Sequence, residues 1–200
     1  MSKIDELIAQ HCPDGVEYKT LGNCVNIMRG KRVVREQLLT DGPFPVYQNC
    51  LQPLGYHTES NVAKHTTFII AAGAAGDVGY SNVDFWAADD CYVLKCPDIL
   101  NSRYLYHLLL NGQGRLKTKV RTASIPRLPR VAVEKFMVPV PPLPVQEEIV
   151  RILDKFTELE AELEAELEAR RAQYQFYRDK LLSFNGLDTP PLRMDAVEIE

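Results

Sequence analysis

The sequence predicts a mixed α/β globular domain of α+β type followed by one long coiled-coil helix. Three observations carry this. Short strand-length runs broken by Gly, Pro, Asn and Asp fill residues 18–144. Four prolines fall within "VPVPPLP", 138–144. After them, 145–184 runs without a Gly or Pro and is rich in Glu, Leu, Ala and Arg, all strong helix formers.

In order, "KIDELIAQH" predicts a short amphipathic helix with Ile4, Leu7 and Ile8 on one side, stopped by "PDG" at 13–15. "NCVNIMRG", "FPVYQ", "TTFIIAAG" and "ADDCYVLKC" are strand-length runs. "SRYLYHLLLNG", 102–112, is helical with Gly112 as its stop. "QGRLKTKVRTAS" is a second basic helix or loop, and "EKFMVPVP" a last strand leading out. Pro144 is expected to end the globule, because proline fixes φ and is excluded from helix interiors. The rod carries an apolar stripe at Ile149, Ile152, Phe156, Leu159, Leu163, Leu167, Tyr174, Tyr177 and Leu181, with a weak link at Arg170. Its steps are three and four, with a stutter where Leu159, Leu163 and Leu167 step four twice. Forty residues make about 60 Å of helix. That is too long to lie against a domain whose radius of gyration is about 14 Å. The stripe therefore calls for a second helix. A symmetric pairing centred near 164 would set acid against acid in "ELEAELEAELEARR", and one nearer 170 would relieve this; the register stays open. The expected division is 1–144 globular domain, 145–184 pairing and spacer helix, and 185–200 acidic, disordered tail.

No stretch approaches eighteen apolar residues, so no membrane span is expected. The polar, acidic start is unlike a signal peptide and points to an intracellular protein. Five cysteines, an odd number without paired metal spacings, read as reduced thiols. The net charge of -4 hides an asymmetry: residues 1–144 hold 16 cations and 13 anions, whereas 145–184 hold 6 and 10. Between Arg103 and Lys135 eight cations meet one anion.

The Gly-rich "AAGAAGDVGYSNVDFW", with Gly73, Gly76 and Gly79 three apart, lacks the Lys of a Walker loop and the G-x-G-x-x-G of a dinucleotide site. Its glycines are expected to let a turn lie close to another backbone. "VPPLP" lacks the Asn or Asp and the aromatic ring of an adenine methyltransferase tetrad. Asp89 and Asp90 adjoin, and as strand neighbours they would point to opposite faces, so no carboxylate dyad is expected. No catalytic or metal-ligating residue is assigned, and the chain is expected not to be an enzyme.

The basic runs point to nucleic acid. Arg115, Lys117, Lys119 and Arg121 alternate, which as a strand would put all four on one face. Lys31, Arg32, Arg35 and Lys64 add to them. Gln48 and Asn49 are amides able to read base edges. Cations would position the domain on phosphate and amides would specify sequence.

The joint and helix, "FMVPVPPLPVQEEIVRILDKFTELEAEL", resemble the region after a target-recognition domain in specificity subunits of type I restriction–modification systems. The Pro-Pro-Leu-x-x-Gln-x-x-Ile-x-x-x-Leu pattern falls on Pro141, Pro142, Leu143, Gln146, Ile149 and Leu153. "CPDGVEYKTLGN" resembles the start of such a domain, "FIIAAGAAGDVGYSNVDFWAADDCYVL" its central Gly-rich hairpin, and "TASIPRLPRVAVEKFMVPVPPLP" its end. The resemblance implies a full-length subunit with two recognition domains separated by two antiparallel helices. Each domain reads half of a split DNA target, and the helices set the spacing. Methylation subunits supply S-adenosylmethionine chemistry, and a motor–nuclease subunit supplies ATP- and Mg2+-dependent cleavage. It also implies a prokaryotic, cytoplasmic setting and no cofactor in this chain. The sequence departs from the pattern in having one domain and one helix, either a half-length subunit or a fragment. Self-pairing through Phe156, Leu159, Leu163, Leu167, Tyr174, Tyr177 and Leu181 would give a two-fold dimer that reads a palindromic split site in double-stranded DNA. The rival is a coiled-coil assembly adaptor whose globule binds protein.

Overall fold

The computed structural model describes residues 2–122 and 124–183. The expected tail, 185–200, and the last expected helical residue, Phe184, lie outside them. The chain divides into two compact units, Met1–Leu153 and Asp154–Glu200. The division falls inside the long helix, so the first turns of that helix belong to the globular unit.

The globular unit opens with α1, Lys3–His11, whose first turn is closed by a capping box. Ser2 N–H donates to Asp5 Oδ2 at 2.9 Å, and Asp5 N–H donates back to Ser2 Oγ at 3.4 Å. The strands follow: β1 (Tyr18–Thr20), β2 (Asn26–Arg29) after the single turn α2 (Leu21–Cys24), β3 (Phe44–Tyr47) and β4 (Gly55–His57). Next come β5 (Thr66–Ile70), β6 (Val78–Ser81), β7 (Trp86–Ala87) and β8 (Cys91–Lys95). Helices α3 (Ser102–Asn111), α4 (Gln113–Lys117) and α5 (Arg130–Glu134) precede β9 (Met137–Pro139). Helix α6, Leu143–Leu182, is the long one.

The central sheet is antiparallel with order β2-β8-β5-β6. A second, mixed sheet runs β4-β3-β7, with β3 parallel to β7. The third is the pair β1-β9, which ties Tyr18 to Pro139 and Thr20 to Met137. Ile69, Val78 and Leu94 from the central sheet pack with Leu105 and Leu109 of α3, with Leu21, and with Val138 of β9. Phe68, Ile70, Phe85 and Val93 build a smaller core toward β7. Alternate residues of β5 thus feed two cores, as strand geometry requires. The buried Thr67 is satisfied by α3: its hydroxyl donates to Ser102 O at 2.7 Å, and Ser102 Oγ accepts its N–H at 3.1 Å. Asn101 caps α3 by accepting from the N–H groups of Arg103 and Tyr104 at 2.8 and 3.1 Å.

Two local expectations are corrected, and one alternative is settled. The basic run is helix and loop, as expected, and not the strand that would have put Arg115–Arg121 on one face. α4 covers Gln113–Lys117, and Arg121 bridges Arg127 beyond it. Leu116 is buried, so the segment turns its apolar residue inward as one helical turn. Asp89 and Asp90 sit in the turn between β7 and β8, not in a strand. The long helix begins at Leu143, with Pro144 inside its first turn. Proline is tolerated there because the first N–H groups of a helix have no intrahelical partner.

The root of α6 is held by Gln146, fully buried. Its Nε2 donates to Pro141 O at 2.7 Å and to Ile99 O at 3.0 Å, and its Oε1 accepts from Asn101 N–H at 2.8 Å. One amide thus satisfies the proline strap, the loop before α3 and the N-cap of α3 together. Beside it, the buried Glu148 carboxylate accepts from Arg151 at 2.7 and 2.9 Å and from Lys3 Nζ at 2.9 Å. These partners, Arg151 foremost, hold its pKa down at about 2.

Replacing Gln146 with Leu keeps the bulk but orphans two carbonyls and one N–H, so urea unfolding should show a loss of about 3 kcal/mol. Glu148 is depressed in the folded chain, so its contribution is complete above the ordinary value of 4.5 and is lost as pH falls to about 2. Stability measured against pH should therefore fall through that window, and Glu148→Gln should flatten the acid limb.

Candidate nucleic-acid interface

The Gly-rich segment is the turn between β5 and β6, and it gathers three distant pieces of chain. Gly73 and Gly76 both have positive φ, +87° and +92°, a conformation that glycine adopts without penalty. A Cβ on Gly73 would lie 2.7 Å from Asn49 O, and the neighbouring Ala74 N–H donates to that same oxygen at 2.8 Å. Gly76 lies under the stem of Lys117, whose Cγ would be 3.1 Å from a Cβ. Gly73 N–H donates to Pro126 O at 3.1 Å, and Leu128 N–H to Ala71 O at 2.8 Å, which docks the basic loop 121–128 on the same turn. Gly79 serves the core instead: a Cβ there would run into the Phe68 ring. The expectation of close backbone approach thus applies to Gly73, and Gly79 makes room for an aromatic side chain.

The cations of this region separate into two roles. Arg115, Lys119 and Arg121 line one groove of about 560 Å³, joined by Lys135 over a floor that includes Leu116 and Phe136. The Arg115 guanidinium lies 4.7 Å from the Phe136 ring centroid, so its stem and charge are held over the floor. Lys117 is diverted. Two residues along a helix is about 200° of rotation, and its ammonium pairs with Asp77 at 2.7 Å. Sequence reasoning missed Lys135 as a groove residue because it stood in a run read as extended; it follows α5 directly.

A second cluster surrounds β7. Lys31 is pinned at both backbone ends: its N–H donates to Ala87 O at 2.9 Å, and its carbonyl accepts from Trp86 Nε1 at 3.0 Å. Trp86 stacks on His57 with centroids 4.3 Å apart. Lys31 lines a shallow depression with Arg29, Lys95 and Asn61. Asn61 clasps Ala87 through both ends of its amide, at 3.0 and 2.8 Å, so it is a structural clamp here. Arg32 and Arg35 are exposed, Arg35 opening the 3-10 turn Arg35–Gln37. Lys64 is exposed too, with its N–H held by Asp84 Oδ1 at 2.7 Å. Gln48 and Asn49 follow β3. The Cys91 thiol donates to Tyr47 O at 3.4 Å and Gln48 O at 3.3 Å. Burial pushes that thiol up to about 12, so it remains a donor at neutral pH.

A cluster absent from the sequence expectations lies on α3. The Arg103 guanidinium lies over both the Tyr80 and Tyr106 rings, 4.6 and 4.9 Å from their centroids. The i, i+3 spacing of Arg103 and Tyr106 on a helix was the available signal. The five cysteines are free, and no group of three or more His, Cys, Asp or Glu among the described residues is poised to hold a metal ion. No described helix is long and apolar enough to cross a membrane.

Comparison with known proteins places this geometry. The family model described as "Type I restriction modification DNA specificity domain" matches residues 13–169. A Haemophilus influenzae protein carrying the provisional name of a type I restriction enzyme specificity subunit is 34% identical over 210 residues, covering 90% of this chain and 51% of that protein. A Mycoplasma pneumoniae protein provisionally named a type I specificity subunit is 35% identical over 174 residues, covering 83% of this chain and 46% of its own length. The chain spans about half the length of the curated relatives it matches. In fold it is similar to the crystal structure of a type I restriction–modification S subunit from M. genitalium, with TM-score 0.68 at 19% identity over 86% of this chain and 47% of that one. Family match, relatives and fold agree: this chain belongs to the type I restriction–modification DNA specificity domain family.

Proposed function

We propose that the chain is a non-catalytic specificity subunit that reads one half of a bipartite target in double-stranded DNA, working as an antiparallel homodimer. The observation that carries this is the convergence on one Gly-rich turn of Asn49, Lys117 and the basic loop 121–128, beside the groove of Arg115, Lys119, Arg121 and Lys135. Phosphate contacts from such cations fix a protein on a duplex, and amide side chains discriminate base edges in the major groove. Lys31, Arg32, Arg35 and Lys64 supply further cations, and Gln48 stands beside Asn49. A methylation subunit would bring S-adenosylmethionine chemistry, and a motor–nuclease subunit would bring ATP and Mg2+. This chain would contribute target choice and assembly in the prokaryotic cytoplasm.

The second unit supports the homodimer reading. Phe156, Leu163, Tyr174 and Leu181 are each at least 60% exposed along α6. A row of large apolar side chains on a helix is the mark of an interface. Two copies would carry two identical readers and favour a palindromic split site.

Selection from random duplexes, with the methylation partner present, should enrich one bipartite motif with inverted halves; recovery of an unenriched pool would favour the adaptor reading. Lys119→Ala should lower the slope of log K against log salt by about 0.9, the value for one phosphate contact. Lys117→Ala should change it less, because Asp77 already neutralises that ammonium. An unchanged slope in Lys119→Ala would take that lysine off the duplex.

A further inference from the structure

The loop that follows β2 is an arm fixed at both ends. Residues 31–39 carry Lys31, Arg32 and Arg35, all exposed. Between its ends the arm holds itself by one short turn, where Val34 N–H donates to Gln37 Oε1 and Gln37 N–H donates to Val34 O, each at 3.0 Å. Its far end is stapled to β4: Leu39 and Tyr56 exchange backbone hydrogen bonds at 2.8 and 2.9 Å. Its near end is stapled to β7. A Cβ on Gly30 would run into the carbonyls of Ala87 and Ala88, so the backbone there lies flat on that strand. Arg29 Nε donates to Asp89 O at 2.6 Å, which commits that guanidinium to the base of the arm.

Ala87 is the hub of this attachment. Its N–H donates to Asn61 Oδ1 at 2.8 Å, and its carbonyl accepts from Asn61 Nδ2 at 3.0 Å and from Lys31 N–H at 2.9 Å. A side-chain amide offers an acceptor and donors together, so Asn61 acts toward Ala87 as a strand partner would. The next residue, Ala88, donates its N–H to the carbonyl of Tyr47, the last residue of β3, at 2.8 Å. Gln48 and Asn49 follow directly. One short strand therefore sets the cationic arm on one side and the amide pair on the other. The sheet registers put the Gly-rich turn at the same end: Arg29 closes β2 opposite Tyr92, Ile70 closes β5 opposite Cys91, and Tyr47 closes β3 opposite Ala87.

We propose that Asn61, assisted by Trp86, is a positioning residue for target recognition: acting through Ala87 and Lys31, it holds the arm so that Arg32 and Arg35 meet phosphates while Gln48 and Asn49 face the bases. This deepens the DNA reading above and rests on it. An exposed arm that had to be ordered on binding would lose affinity to that ordering, and a clamp made beforehand removes the loss. Trp86 completes the clamp. Its Nε1 donates to Lys31 O at 3.0 Å while its ring is stacked on His57, so the donor is itself held in place. Support of this kind, one layer behind the contacting side chains, decides whether they stand at the right distance.

The test measures binding of the full chain, with the methylation partner present, to the duplex enriched by selection, over a range of salt, with thermal unfolding recorded for each variant. Arg32→Ala with Arg35→Ala should lower the slope of log K against log salt by about 1.8, the value for two phosphate contacts. Asn61→Ala removes no charge, yet should lower it by about 0.9 or more. Added to the chain that already lacks both arginines, Asn61→Ala should lower the slope little further, because the arm it holds no longer carries those charges. Trp86→Phe keeps a ring on His57 and removes only the Nε1 donor, so it should act in the same direction by less, and it carries the test if Asn61→Ala fails to fold. Variants at Asn61 and Trp86 that melt as the unaltered chain does and keep its slope would overturn the proposal. So would an Asn61→Ala effect undiminished in the double-arginine background, which is what a general loosening of the fold gives. An unaltered slope without Arg32 and Arg35 would take the arm off the duplex and leave the DNA reading standing. A chain that binds no duplex would overturn both.

Discussion

The helix root is the constraint on which the rest of this molecule depends. A helix of forty residues has no reason to leave a small domain at a defined point unless something fixes its first turn. Here a buried amide does so. Gln146 binds the carbonyls of Pro141 and Ile99 and the N–H of Asn101, three groups from the strap and from the loop that begins α3. A buried polar group held by three hydrogen bonds is specific in a way that apolar contact is not, because displacement breaks a bond that buried surroundings do not replace. Val145, next to it, is buried in the ordinary apolar way. Glu148 extends the anchorage to the N-terminus through Lys3, so α1 is bound to the same root by charge.

The Gly-rich turn solves a different problem. Its backbone must pass close to Asn49 on one side and carry the stem of Lys117 on the other. Side chains would hold these segments apart. Their absence lets main-chain hydrogen bonds join the loop after β3, the turn itself and the loop 121–128.

What the sequence made legible was local. The strands at Thr66–Ile70 and Cys91–Lys95, the stop of α3 at Gly112 and the long helix all announce themselves in periodicity and in Gly or Pro. What it hid was tertiary. Lys117 and Lys119 look alike in "LKTKV", yet one faces Asp77, forty residues earlier, and the other faces an open groove. Gln146 stands out in sequence as one letter of a family pattern, while its role depends on Ile99 and Asn101, which no spacing rule connects to it. Pro144 inside the helix and the turn at Asp89–Asp90 were misplaced because proline and carboxylate rules are averages over positions, and first turns and tight turns are their exceptions.

The short ladder between β1 and β9 has an architectural consequence. Because Tyr18 lies opposite Pro139 and Thr20 opposite Met137, everything between them leaves and returns through a single doorway. The intervening hundred-odd residues are a cassette, hung on a frame by two adjacent threads. Splicing another cassette between the same threads would leave the rod seated only if the newcomer kept the carbonyl and the N–H that Gln146 grips at Ile99 and Asn101.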